Sequence, residues 1–122
     1  MTGAEPPEVI RYFGSRKKLF KIHFRNVSAP LPHFTETMID DGYYDMSKIM
    51  RALVEVKFEG IVIPDHVPGL GSNPATDAAR AAGGARSGGG SGEGYRPNPA
   101  LAYLLGCMNS MLVAAQSVQG KA

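Results

Sequence analysis

A single cysteine in 122 residues, Cys107, excludes any intramolecular disulfide and with it a disulfide-stapled secreted scaffold. Charge of one sign is also scarce. Thirteen Lys and Arg stand against eleven Asp and Glu, and a net charge of +2 is too mild to argue for a nucleic-acid or membrane-surface partner. No stretch approaches the roughly 18 consecutive apolar residues of a membrane helix, so none is expected. The start, MTGAEPPEV, has neither a basic opening nor an apolar run, so no secretory signal is visible. The expectation is a soluble, cytoplasmic protein without nucleic-acid or membrane partners. With 43% hydrophobic and 20% charged residues, the chain has an ordinary globular composition and the length of one small domain.

What is present alternates between strand-like and helix-like patterns. Pro6-Pro7 followed by Glu8–Phe13 predicts a short helix, with Pro7 suited to its first turn and Gly14 to its stop. Arg16-Lys17-Lys18 reads as a solvated strand entrance. Leu19–Phe24 (LFKIHF) predicts a strand, and Ala29-Pro30-Leu31-Pro32 predicts loop. Met46, Ile49, Met50, Leu53 and Val54 form one helical stripe, with Asp45 as its N-cap. Phe58–Pro64 (FEGIVIP) predicts a second strand with Ile61-Val62-Ile63 as a buried run. Residues 69–94 change character, and the Gly-, Ala- and Ser-rich stretch at 80–94 is expected to be a mobile loop. A last helix is expected from Pro99 to Ser117, capped by Asn98. Its buried face would be Leu101, Leu104, Leu105, Met108, Met111 and Leu112. Gly106 within it predicts a close helix–sheet contact, and Cys107 an inert interior thiol.

The order strand, loop, helix, strand suits a β/α unit of a parallel sheet or barrel. Each strand ends in a polar cluster, His23-Phe24-Arg25-Asn26 and Asp65-His66, and such ends carry the active sites of these folds. His23 and Asp65 offer a nitrogen and an oxygen ligand suited to Mn, Fe or Zn. Arg25 presents a planar fork that matches a carboxylate. His66 has the near-neutral titration that an acid or base needs. Against this stands the commoner role of a strand histidine, a hydrogen-bonded structural residue. Regular alternation would also send Asp65 and His66 to opposite faces unless a turn begins at Asp65. Gly69-x-Gly71 lacks the rest of a dinucleotide fingerprint.

PEVIRYFGSRKKLFKIHFRNV and FTETMIDDGYYDMSKIMRALVEVKFEGIVIPDHVP together resemble the C-terminal part of the mannonate dehydratases, strongly over about residues 7–68 and more weakly over 95–116. The resemblance implies an α/β fold: the C-terminal β/α units of a xylose-isomerase-like TIM (β/α)8 barrel, here incomplete. It implies dehydration of D-mannonate to 2-keto-3-deoxy-D-gluconate with Mn2+ or Fe2+, in hexuronate breakdown. Carried onto this chain, His23 and Asp65 are metal ligands and His66 is a catalytic acid or base. Tyr95 is the nearest candidate for the family's catalytic tyrosine, with Tyr103 as its rival. Arg25 and Asn26 are substrate or supporting groups.

The family's barrel is about three times longer than this chain, and its remaining ligands, another His and a Cys, would lie in the part not represented here. Two readings follow: a mannonate dehydratase fragment completed by that part, or a non-catalytic remnant or interaction module of the same fold. A sugar isomerase or epimerase ranks below both, since only Asp65 is a strand-end carboxylate. Open sheet edges and apolar helix faces predict association, as a homo-oligomer or with the remainder of a barrel.

Overall fold

Pro6 and Pro7 lack N–H groups that a first helical turn leaves unbonded in any case, and the first helix, α1 (Pro6–Gly14), begins on them. The computed structural model describes residues 4–66, 68 and 99–120. The Gly-rich stretch at 80–94, Tyr95 and the expected cap Asn98 lie outside the described residues. After α1 come strands β1 (Lys21–Phe24), β2 (Asn26–Val27) and β3 (Glu36–Thr37), helix α2 (Met46–Glu55), strand β4 (Ile61–Pro64) and helix α3 (Pro99–Gln119).

Asp45 caps α2 as its position predicts: its carboxylate accepts the Lys48 N–H at 2.9 Å. That bond, from a backbone donor, is the first reason its pKa lies below the ordinary 3.8, with the Lys48 and Arg51 charges adding to it. Because the folded state lowers this pKa, the stabilisation is complete above the ordinary value and is lost as pH falls through the depressed one. Asp45→Ala should therefore cost about 1 kcal/mol at neutral pH. The gap between mutant and parent should close in acid, as urea titrations at pH 7 and pH 2.5 would record. The other end of α2 closes with Phe58 N–H on Leu53 C=O and Lys57 N–H on Val54 C=O, both at 3.0 Å. Lys57 takes the left-handed position of that motif (φ 51°), where glycine is the usual occupant.

Gly14 does not end α1 by turning left-handed. The helix is capped by Ser15, and the positive φ falls on Lys17 (55°). What Gly14 provides is proximity: a Cβ there would lie 2.6 Å from Val56 Cγ2. The absent side chain lets α1 close on the end of α2.

β1 and β4 pair in parallel, with Ile22 opposite Val62 and His23 opposite Ile63. Their connection runs through α2, as parallel pairing requires. Phe24 points toward the helices and is 1% exposed; Lys21 and His23 point away and are exposed. The core is Phe24, Ile39, Met46, Ile49, Met50 and Leu53, closed over by Leu104 and Met108 of α3.

Several expectations need correction. The Ile61–Ile63 run is not buried as a unit: Ile61 is 65% exposed, because nothing among the described residues covers that face of a two-stranded sheet. Leu105 is 48% exposed, and a Cβ at Gly106 would meet nothing within 4 Å, so that glycine makes no close contact with the sheet. α3 also departs from the expectation that no segment suits a bilayer. It has 21 residues and an 18-residue window of mean hydropathy 1.4, long and apolar enough by length and composition alone. Its polar residues are uncharged and scattered, so the average passes where the search for an unbroken apolar run does not. Residues 29–32 are loop as expected, and they are flanked by a short antiparallel ladder that no expectation covered, Asn26 opposite Thr37 and Val27 opposite Glu36.

Candidate active site

The parallel register brings the two strand ends level. β4 stops at Pro64, and the next residue continues the ladder through its backbone, Asp65 N–H to Phe24 C=O at 3.3 Å. His23 lies on the sheet face turned away from the helices, and Asp65 meets it there: His23 Nδ1 and Asp65 Oδ2 are 3.0 Å apart. The hydrogen bond from His23 is the largest cause of a lowered Asp65 pKa. The nearby His66 and His23 charges act in the same direction.

His66 does not continue the strand. Its φ of 49° is in the left-handed region, uncommon for a residue with a side chain and frequent at functional turns. The turn beginning after Pro64 removes the alternation problem. His66 N–H donates to Asp65 Oδ1 at 3.1 Å, and the imidazole folds back until Nε2 lies 3.6 Å from Asp65 Oδ2. Both imidazoles thus face Oδ2 of Asp65, while Oδ1 accepts the His66 backbone N–H.

The other nitrogen of His66 faces a group that the sequence patterns did not single out. His66 Nδ1 lies 3.6 Å from Glu36 Oε1, and the same oxygen accepts Arg25 Nη1–H at 2.9 Å. The five side chains form a continuous array in the order His23, Asp65, His66, Glu36, Arg25. Arg25 spends one of its five N–H donors on Glu36, and its side chain remains 35% exposed.

Asn26 has a different role from the substrate contact its neighbours suggested. It is 2% exposed. Its amide nitrogen donates to Ile39 C=O at 3.0 Å and Tyr44 C=O at 2.9 Å. Its oxygen accepts Val27 N–H at 3.0 Å and Tyr44 N–H at 3.1 Å. An amide side chain has two donors and two acceptor sites, and all four are used on backbone, leaving nothing for a ligand. Asn26 is a supporting residue: it ties β1's exit to the start of α2 and so shapes the loop that returns Glu36 to Arg25. Gly42 makes room for it, since a Cβ there would collide with the Asn26 side chain and Thr37 Oγ1.

Tyr103, the rival catalytic tyrosine, donates its hydroxyl to Asp40 Oδ2 at 2.5 Å. That bond first, and Cys107 second, raises its pKa above the phenolic norm and keeps the proton on the oxygen. It tethers α3 to the segment before α2. Tyr95 lies outside the described residues.

The donor set can be tested against a divalent ion. The 3.0 Å between His23 Nδ1 and Asp65 Oδ2 matches two neighbouring ligands of one octahedral sphere with bonds of about 2.1 Å. Their chemistry, one imidazole and one carboxylate, suits Mn or Fe. Among the described residues no group of three or more His, Cys, Asp or Glu is placed to hold an ion. The pair fits as part of a ligand set.

A family model described as D-mannonate dehydratase (UxuA) matches residues 2–84. The chain belongs to the D-mannonate dehydratase family. The mannonate dehydratase of Enterococcus faecalis is 42% identical over 71 residues, which are 52% of this chain and 19% of that protein. That of Thermotoga petrophila is 35% identical over 71 residues, 52% of this chain and 20% of its own length. The crystal structure of mannonate dehydratase from Streptococcus suis serotype 2 superposes with a TM-score of 0.65 at 22% identity, covering 93% of this chain and 29% of that one. The likeness in fold therefore extends over nearly the whole chain. The matches nevertheless span only about a fifth of the curated relatives' length. The resemblance read from HFRN and PDH thus carries the family, and with it a mixed helix–strand unit shared with a mannonate dehydratase structure.

Proposed function

We propose that this chain forms one wall of a mannonate dehydratase active site, within a (β/α)8 barrel of which it supplies the β1–α2–β4–α3 part. The reaction is loss of water from D-mannonate to give 2-keto-3-deoxy-D-gluconate. The observation that carries the reading is the meeting of His23 and Asp65 at 3.0 Å across neighbouring parallel strands, with His66 beside them. It is supported by family membership over residues 2–84.

His23 and Asp65 would hold Mn2+ or Fe2+, which when bound supplies Lewis-acid polarisation of substrate oxygens. Arg25 binds the substrate carboxylate through the donors that Glu36 leaves free, and its charge favours the enolate-like state that forms when the proton beside that carboxylate departs. His66 and Tyr95 divide the two proton movements: removal of the C2 proton and protonation of the departing C3 hydroxyl. The enol that results ketonises to the 2-keto acid, so one substrate gives one product and one water. The remaining strands and ligands come from outside the present residues, in a cytoplasmic assembly that is either homo-oligomeric or completed by the rest of a barrel.

The test is formation of the 2-keto acid from D-mannonate with Mn2+, by the chain alone and by the chain combined with the N-terminal portion of a mannonate dehydratase. Product formation in the combined sample is expected. No product and no bound Mn2+ in either sample would overturn the reading in favour of a non-catalytic remnant.

A further inference from the structure

We infer that Glu36 is a positioning residue, one that holds the Arg25 guanidinium and the His66 imidazole in a fixed relation through a single carboxylate. The inference rests on the reading of Arg25 and His66 as substrate-facing groups.

Three observations converge on it. Glu36 Oε1 is shared: Arg25 Nη1 lies 2.9 Å away and His66 Nδ1 3.6 Å away. The carboxylate is largely enclosed, with the side chain 27% exposed, and Oε2 is buried without a hydrogen-bond partner. A buried carboxylate oxygen left bare is unfavourable, and such groups persist in folded proteins where they serve some other purpose. Here the enclosure holds the carboxylate in one place, with the other oxygen, Oε1, on Arg25 and just beyond hydrogen-bond length from the imidazole. The third observation is the construction around it. The β2–β3 ladder and the four bonds of Asn26 fold an otherwise irregular segment back on itself. Their combined result is to carry Glu36 to Arg25.

A free arginine side chain samples many rotamers, and an anchored one presents its remaining donors already oriented. Glu36 provides the anchor on one side, and the Phe34 ring, 5.8 Å from the guanidinium carbon, lies on another. Among the described residues, His66, strained at its backbone, has Asp65 as its other polar partner. Glu36 thus couples the group that grips the carboxylate to the group that handles the proton.

The experiment compares the full chain with Glu36→Gln and Glu36→Ala, first by 15N spectra of the arginine and imidazole side chains. In Glu36→Ala the Arg25 signals should collapse toward those of a free guanidinium and the His66 imidazole signals should shift. Glu36→Gln, which keeps a carbonyl acceptor of the same size, should restore the Arg25 signals in part. Backbone amide spectra establish that each variant is folded, and the isosteric Gln variant carries the test if Ala unfolds. The same variants are then combined with the remainder of a barrel. There, Glu36→Gln should raise KM for D-mannonate about tenfold with kcat changed far less. Unchanged Arg25 and His66 signals, or an unchanged KM, overturn the inference. If the signals move while no form turns over D-mannonate, the positioning role stands and the functional reading falls.

Discussion

Asn26→Ala should remove about 3–5 kcal/mol of stability, much of the total available to a domain this small. The size follows from what is left behind. The substitution strands the Ile39 and Tyr44 carbonyls and the Val27 and Tyr44 N–H groups, each of which is bonded to the Asn26 side chain. A buried backbone group without a partner costs about 1–3 kcal/mol, and entry of water into the cavity recovers part of the sum. Asn26→Asp separates packing from hydrogen bonding. It keeps the acceptor for Val27 and Tyr44 but loses both donors and adds a buried charge, so it should be destabilising despite equal size. Urea midpoints give the magnitude, and hydrogen exchange gives the location: the amides of residues 36–44 should exchange faster while those of α2's centre hold longer. A loss under about 1 kcal/mol for Asn26→Ala would mean that the loop is held by something other than this amide.

The contrast between α2 and this loop explains which parts of the fold were legible in the sequence. α2 is specified locally: a cap at Asp45, a stripe at Met46, Ile49, Met50 and Leu53, and bonds no longer than one helical turn. The parallel pair was legible because two apolar runs flank that helix and each ends in polar residues. β2 and β3 have two residues each, too few to display a period, and they are held by contacts reaching 13 and 18 positions along the chain. Asn26, left between a substrate and a supporting role, could not be resolved from the sequence for the same reason. Its position next to His23 and Arg25 suggested a ligand contact, whereas backbone partners far downstream decide its role. Glu36 is 11 residues from Arg25 and lies in the FTETMIDD stretch that carries the resemblance, but no chemical pattern there singles it out, so only the folded chain brings it to the site. Gly14 ends α1 as expected, but its packing against Val56 is invisible in the sequence. α3 is apolar all round, so its sequence does not state which face is covered. Leu104 and Met108 are buried, and Leu105 is not.

Replacing either His23 or Asp65 by Ala should reduce Mn2+ binding in the completed barrel by more than about 100-fold, since even loss of a group behind a ligand commonly costs 10–100-fold. D-mannonate dehydration should fall with it. The expected signature is loss of function without loss of fold. Both side chains project from strand ends on the face away from the core, with 55% and 31% side-chain exposure, so the metal-free unfolding midpoint should fall far less than for Asn26→Ala. Asp65→Asn refines the point, because it keeps shape but replaces an anionic oxygen by a neutral one. In the parent, the His23 hydrogen bond, helped by the two imidazole charges, holds the Asp65 carboxyl below its ordinary range. The carboxylate is therefore ionised at neutral pH and ready to ligate, and protons compete for it only below the ordinary carboxylate range. Asn cannot supply that charge and should bind Mn2+ almost as weakly as Ala. The paired variant should be no worse than either single one, because two ligands of one ion fail together and do not add. Electron paramagnetic resonance of free Mn2+ reads the parent and all four variants against the same total metal. If His23→Ala and Asp65→Ala each leave binding intact, or if their effects simply add, the two side chains do not share an ion, and their 3.0 Å contact is an ordinary structural hydrogen bond.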